Sequence, residues 1–112
     1  MKTTTWTRVC ALVDLTPDRG VAALVDGEAV ALFRLGAGEE DVVAIANVDP
    51  FSGASVLSRG IVGSKDGVNK VASPVYKQGF DLRTGQCLDD PGVSIATFAV
   101  RATDGRVEVA VP

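Results

Sequence analysis

The chain is predicted to be all-β, an antiparallel sandwich or barrel, and three observations carry that reading. Short apolar segments recur about every 8–12 residues between Gly, Pro and Asp clusters, the rhythm of sandwiches and barrels. Asp-Gly pairs stand between apolar runs at Asp26-Gly27, Asp66-Gly67 and Asp104-Gly105, where both residues tolerate the positive φ of a tight hairpin turn. No stretch carries the 3.6-residue apolar period of a long amphipathic helix.

Taken in order, Trp6 to Val13 is short and apolar and predicts a first strand, closed by the turn residues Thr16-Pro17-Asp18-Arg19-Gly20. Val21–Val25 and Ala29–Phe33 flank Asp26-Gly27 and predict a hairpin. Gly36 to Asp41 is polar, and its Glu39-Glu40-Asp41 reads as a solvated tip rather than a metal site. Val42–Ala46 reads as a buried strand. Ile61-Val62 and Val68–Ala72 predict a second hairpin, and Phe80–Leu82 with Gln86–Leu88 a third tight connection across Thr84-Gly85. Asp89-Asp90-Pro91-Gly92 breaks the chain. The last hairpin pairs Val93–Ala102, which carries Val93, Ile95, Thr97 and Ala99 at alternate positions, with Arg106–Val111, which puts Val107, Val109 and Val111 on one face and Arg106 and Glu108 to solvent.

The 112 residues fit one domain, 1–112, with no linker, repeat or low-complexity tract; a chain this size buries roughly two-thirds of its unfolded surface. With 5% aromatic residues the core must be rich in Val, Ala and Leu. A net charge of −3 argues against nucleic-acid binding, which needs a basic face. No apolar run spans a membrane, and the polar start Met1–Arg8 with Asp14 cutting the run after it predicts no leader. Cys10 and Cys87 then read as free thiols in a reducing, cytoplasmic compartment, Cys10 in the core. A bridge between them stays open, because bridging depends on Cα separation.

The absence of histidine removes whole reaction classes. Neither a Ser-His-Asp nor a Cys-His arrangement is possible, nor a zinc site with imidazole ligands. No phosphate-cradling Gly-x-x-x-x-Gly-Lys loop or Gly-x-Gly-x-x-Gly turn is present.

Two stretches stand apart: Asn47-Val48-Asp49-Pro50-Phe51-Ser52-Gly53, and Ser73-Pro74-Val75-Tyr76-Lys77-Gln78-Gly79-Phe80-Asp81-Leu82-Arg83-Thr84-Gly85. They resemble the two cluster-binding loops of Rieske iron–sulfur domains, Cys-Pro-His-x-Gly and Cys-Pro-x-His-x-x-x-Phe-Asp-Leu-x-Thr-Gly. The prolines, glycines and Phe-Asp-Leu-x-Thr-Gly tail are kept, while Asp49, Phe51, Ser73 and Tyr76 stand at the four ligand positions. A Rieske centre needs two thiolates and two imidazoles, so the cluster is excluded. Together with Pro50-Phe51-Ser52-Gly53-Ala54, Leu57-Ser58-Arg59-Gly60 and Ser73–Gln78, the run from Asp49 to Asp90 is similar to the small subunit of NAD(P)H-dependent nitrite reductase. That resemblance implies a Rieske-like (ISP-domain) fold with the two loops as a subdomain. It also implies a cofactor-free, non-catalytic subunit of the enzyme that assimilates nitrite to ammonium. Its large partner subunit would carry FAD, an iron–sulfur cluster and sirohaem.

Asp49, Ser73 and Tyr76 make a poor oxygen-ligand set, since Asp49 is the one carboxylate among them. Two readings of the loops remain. In one, Phe51 and Tyr76 fill the space a cluster would take, while Asp49 and Ser73 accept hydrogen bonds from backbone amides. In the other, Phe51, Val75, Tyr76, Lys77 and Gln78, with Arg59 and Arg83, form a partner interface, since aromatic and Arg side chains dominate binding hot spots. Arg59, Lys65 and Lys70 by themselves read as a solvated face. A free-standing Rieske-like interaction module without a redox role is the competing function; an electron-carrying ferredoxin is excluded with the cluster.

Overall fold

The computed structural model describes residues 5–36 and 41–111, with the Lys65 side chain left out. Among the described residues, nine strands form two antiparallel sheets: β1 (Thr7–Ala11), β2 (Gly20–Val25), β3 (Glu28–Arg34), β4 (Val42–Ala46), β5 (Ile61–Lys65), β6 (Val68–Ala72), β7 (Gly79–Asp81), β8 (Thr97–Thr103) and β9 (Arg106–Ala110). The larger sheet runs β1-β9-β8-β4-β3-β2 and the smaller β5-β6-β7. The 3-10 turns Leu12–Asp14 and Leu57–Arg59 are short, and no described helix is long and apolar enough to cross a membrane. Glu39 and Glu40 of the acidic tip fall outside the described residues.

The two central strands explain the architecture. Ala31, Phe33, Val43 and Ile45 point to one side, where they pack with Leu57, Val71, Phe80, Leu82 and Cys87 under the small sheet and the loops. Their alternate neighbours Val30, Leu32, Val42 and Ala44 point to the other side, onto Leu15, Val25, Val107 and Val109 inside the curl of the large sheet. Successive side chains in a strand face opposite ways. A strand buried on both faces therefore needs the unbroken apolar runs Ala29–Phe33 and Val42–Ala46. By contrast, β9 has one wet face and alternates.

The Asp-Gly hairpins form where expected. Asp26, Asp66 and Asp104 sit at φ 47, 53 and 52°, each followed by a glycine at φ 75 to 81°, the positive-φ pair a tight two-residue turn requires. β2–β3 pair in register from Gly20↔Phe33 to Val25↔Glu28, and β5–β6 from Ile61↔Ala72 to Lys65↔Val68.

Three expectations need correction. The last hairpin is shorter at its start: β8 begins at Thr97, while Val93–Ala96 is irregular, touching the sheets through a Gln86↔Ser94 bridge and an amide bond from Ala46 to Ala96. Ile95 is half-buried but Thr97 and Ala99 are exposed, so the inward side switches to Phe98, Val100 and Ala102. The switch falls at Ala96-Thr97, two successive exposed residues, where the Ala46 amide bonds the Ala96 carbonyl. Glu108 is half-buried, accepting from Arg101 at 2.9 Å, and the Arg101 guanidinium lies 4.3 Å from the Trp6 ring centre. The cysteines are both free, and the fully buried one is Cys87. Cys10 is half-buried on β1 in the other core layer, its thiol pushed up by burial and by Asp14 despite Arg8.

Gly85 shows where tertiary packing, rather than the turn alone, demands glycine. It has φ +80°, and a Cβ there would strike the Ile95 carbonyl, whereas Gly105, at φ +75°, faces open space. Gly105→Ala should lower unfolding free energy by about 1 kcal/mol, the cost of a left-handed residue alone. Gly85→Ala should cost about 3 kcal/mol or more because a carbonyl blocks the methyl. Urea denaturation of the two variants checks the difference.

Candidate functional site

The first loop, 47–56, leaves β4 and the second, 73–78, joins β6 to β7, so the two sheets deliver them to one place. Asn47 anchors the base of the first loop. It is buried; its amide donates to Ala29, its carbonyl accepts from Val56 and Leu57, and its side-chain oxygen accepts from the Ser58 amide at 2.7 Å. The loop then folds on Asp49, whose own amide donates to Ala54 and whose carbonyl accepts from Gly53.

The Asp49 side chain is fully buried and joins the loops: Oδ1 accepts from the Phe51 amide at 2.8 Å, and Oδ2 from the Ser73 hydroxyl at 2.5 Å. Burial pushes its carboxyl up, but the bonds from Ser73, from the Phe51 amide, and from the Ser52 hydroxyl and amide outweigh burial and hold it below its ordinary 3.8. Ser73, also buried, accepts in turn from the Val75 amide at 3.2 Å. Its backbone closes the second loop through bonds from Ser73 to Gln78 and from Lys77 to Ser73, both 3.0 Å.

The other two ligand-position residues part company. Phe51 turns inward, its ring centre 6.3 Å from that of Phe80, and packs on the core. Tyr76, which the packing reading placed beside it and the interface reading placed at the surface, points outward and is 60% exposed. With Val75, 43% exposed, and exposed Pro74 and Lys77, it forms the crest of the second loop. Gln78 is half-buried, its Oε1 buried without a hydrogen-bond partner. Arg59 is exposed at the end of the 3-10 turn. Arg83 lies apart, lining an open groove of about 300 Å³ with Val42, Val43, Leu82, Thr97 and Phe98, at the end of β4 remote from the first loop.

Beneath the crest, Asp81 accepts from the Arg83 and Thr84 amides at 2.8 and 3.3 Å, which is what the Phe-Asp-Leu-x-Thr-Gly tail does without any cluster. Asp89 accepts from the Gly79 amide at 2.7 Å and secures the far side of the loop. The roles of Asn47 and Asp89 did not stand out in the sequence, because their partners are 11 and 10 residues away, respectively, and no local motif links them.

A [2Fe–2S] centre of the Rieske type does not fit these residues. It needs two thiolates and two imidazoles; the four positions hold a carboxylate, a hydroxyl, a phenyl and an outward phenol, and the chain has no histidine. Cys10 and Cys87 sit in β1 and in the core layer below the loops, on neither loop crest. Among the described residues no group of three or more His, Cys, Asp or Glu is placed to hold a metal ion.

The fold and the loop pair define a Rieske-like domain, and residues 5–110 match the family described as Rieske-like [2Fe-2S] domain. A nitrite reductase (NADH) small subunit of Salmonella typhimurium is 43% identical over 93% of this chain and 95% of its own length. A crystal structure from Mycobacterium tuberculosis, provisionally described as an NADH-dependent nitrite reductase small subunit, is 51% identical with a TM-score of 0.93, covering 99% of this chain and 98% of that one. The same stretch is also 36% identical to part of a nitrite reductase [NAD(P)H] large subunit of Klebsiella oxytoca, over 93% of this chain and 11% of that protein. The chain belongs to the nitrite reductase small-subunit family of Rieske-like domains.

Removing the Ser73 hydroxyl leaves the buried Asp49 charge short of a donor. Ser73→Ala should therefore lower stability at neutral pH by about 1–3 kcal/mol. The folded-state value of Asp49 lies below 3.8, so its contribution is complete above pH 3.8 and is lost as pH falls through the folded value. The gap between wild type and Ser73→Ala should accordingly shrink as pH falls below 3.8. Urea melts across that range test the sign.

Proposed function

We propose that this chain is the small, cofactor-free subunit of an NAD(P)H-dependent nitrite reductase, reducing nitrite to ammonium together with a large catalytic subunit. The observation that carries the reading is the buried Asp49–Ser73 bond in the place of a cluster. The two-loop frame is held by the protein's own hydrogen bonds, so the domain keeps its shape with no redox centre to carry electrons. The chemistry then belongs to the large subunit, which by the family resemblance carries FAD, an iron–sulfur cluster and sirohaem.

Residues 1–112 act in this reading as one domain in the cytoplasm, consistent with two free cysteines. Its role is to support the large subunit through a surface that includes the second-loop crest; Phe51, Val75, Tyr76, Lys77, Gln78, Arg59 and Arg83 are the candidate contacts. The Klebsiella oxytoca large subunit, which includes a stretch similar to this chain, supports a fixed ratio of one small to one large subunit. That polypeptide joins such a stretch to large-subunit sequence in a single chain.

The reading is tested by co-purification with the large subunit and by NAD(P)H-dependent nitrite reduction. The large subunit should be recovered coloured, in one-to-one ratio, and lose activity when the small chain is omitted. The isolated small chain should stay colourless after incubation with iron and sulfide under reducing conditions. A chain recovered alone, or one that gains a charge-transfer spectrum, would overturn the assignment.

A further inference from the structure

We infer that Lys77 and Tyr76, at the crest of the second loop, seat the domain on its large subunit, in an apolar hollow with a carboxylate at its rim. The inference rests on the subunit reading and deepens it.

The first observation is a conformation. Five non-glycine residues have positive φ among the described residues; four are aspartates and the fifth is Lys77, at φ 65°. Aspartate tolerates that region because its short side chain can bond its own backbone, whereas a lysine pays the steric penalty without such relief. Glycine would adopt this turn without strain. A non-glycine residue held there by the Ser73 and Gln78 bonds points to use of its side chain, since strain of this kind concentrates at functional positions.

Charge provides the second observation. Between Asn47 and Val56, and between Ser73 and Gly79, the charged residues are Asp49 and Lys77, in a chain that is 22% charged. Asp49 is buried and bonded within the frame, so Lys77 is the one exposed charge the two loops themselves carry, while the Lys70 ammonium and the Asp89 carboxylate lie together beside Gly79 at the base of the second loop, on a protein of net −3. The same two loops expose Val48, Pro50, Pro74, Val75 and Tyr76. Depletion of charge around an aromatic anchor is how the centre of an interface differs from ordinary surface. An exposed cation on an apolar crest, set apart from the Lys70–Asp89 pair at its base, is matched by a carboxylate bordering an apolar hollow.

Rigidity makes the third point. The crest is short, closed by its own backbone bonds and pinned to the first loop through Ser73 and Asp49. A surface already ordered loses little freedom on docking.

The test measures affinity of the purified large subunit for wild type and variants, with the melting temperature of each free domain alongside. Lys77→Gly should raise the melting temperature by about 2–6 °C yet weaken binding by about tenfold. Stabilisation with loss of binding is a combination no folding defect produces. Tyr76→Ala should weaken binding by at least about tenfold, with its melting temperature unchanged because the ring is exposed. Wild-type affinity should fall with added salt, and more steeply than that of Lys77→Gly. Leu24→Ser and Ile61→Ser, on the exposed faces of edge strands at 75% and 76% exposure, should bind as wild type.

If wild type binds but the crest variants bind equally well, or the edge-strand variants weaken instead, the crest is not the seat and this inference is overturned while the subunit reading stands. If wild type itself does not bind the large subunit, the subunit reading falls and takes the inference with it.

Discussion

A single buried contact, the Ser73 hydroxyl donating to the Asp49 carboxylate, holds the loop end of this domain together. The two residues come from different sheets and are 24 positions apart, so nothing local forces them to meet. A carboxylate taken fully out of water is costly unless its oxygens are satisfied. Asp49 meets that condition with hydroxyl and amide donors from Ser73, Phe51 and Ser52. Hydrogen bonds to a charged group contribute about 1.5–3 kcal/mol each, and losing one strands the charge. The loops therefore converge as a unit.

What the loops are fastened to matters as much. β3 and β4 are buried on both faces, and the core layer beneath the loops, with Phe33, Ile45, Phe80 and Leu82, is continuous with them. Phe51 extends this layer upward through its contact with Phe80. Dense packing transmits position with little give, so the crest is held by the central strands rather than by the loops alone. In Rieske-type domains bearing a cluster, metal–ligand bonds tie the loops. Here a hydrogen bond and a phenyl ring occupy those positions, which separates the fold from the redox chemistry associated with it.

That separation gives the family membership its functional meaning. In the function proposed above, a domain that keeps a two-loop crest without ligands for a cluster serves the enzyme through contact and support. The surface proposed for that contact is apolar and aromatic, with Lys77 as the exposed charge of the two loops, on a chain of net charge −3.

The Asp-Gly turns, the buried runs of β3 and β4, the alternation of β9 and the missing histidines were all legible in the sequence. Each depends on residue type at short range: positive φ for the turns, two-sided burial for the runs, donor chemistry for the cluster. The irregular start of β8 was not legible, because the inward side changes at Ala96-Thr97, where long-range bonds to β4 and Gln86 override the alternation. The same holds for the opposite fates of Phe51 and Tyr76. Both are aromatic residues at ligand positions, and only the location of Phe80 under one and solvent beside the other sends the first inward and the second out. The amino-acid sequence by itself determined an all-β domain with a Rieske-like loop pair that has no ligands for a cluster. Tertiary structure alone decided that Asp49 and Ser73 replace it as the tie, and that Tyr76 and Lys77 form the crest, because burial, partner geometry and backbone angle are properties of the packed chain.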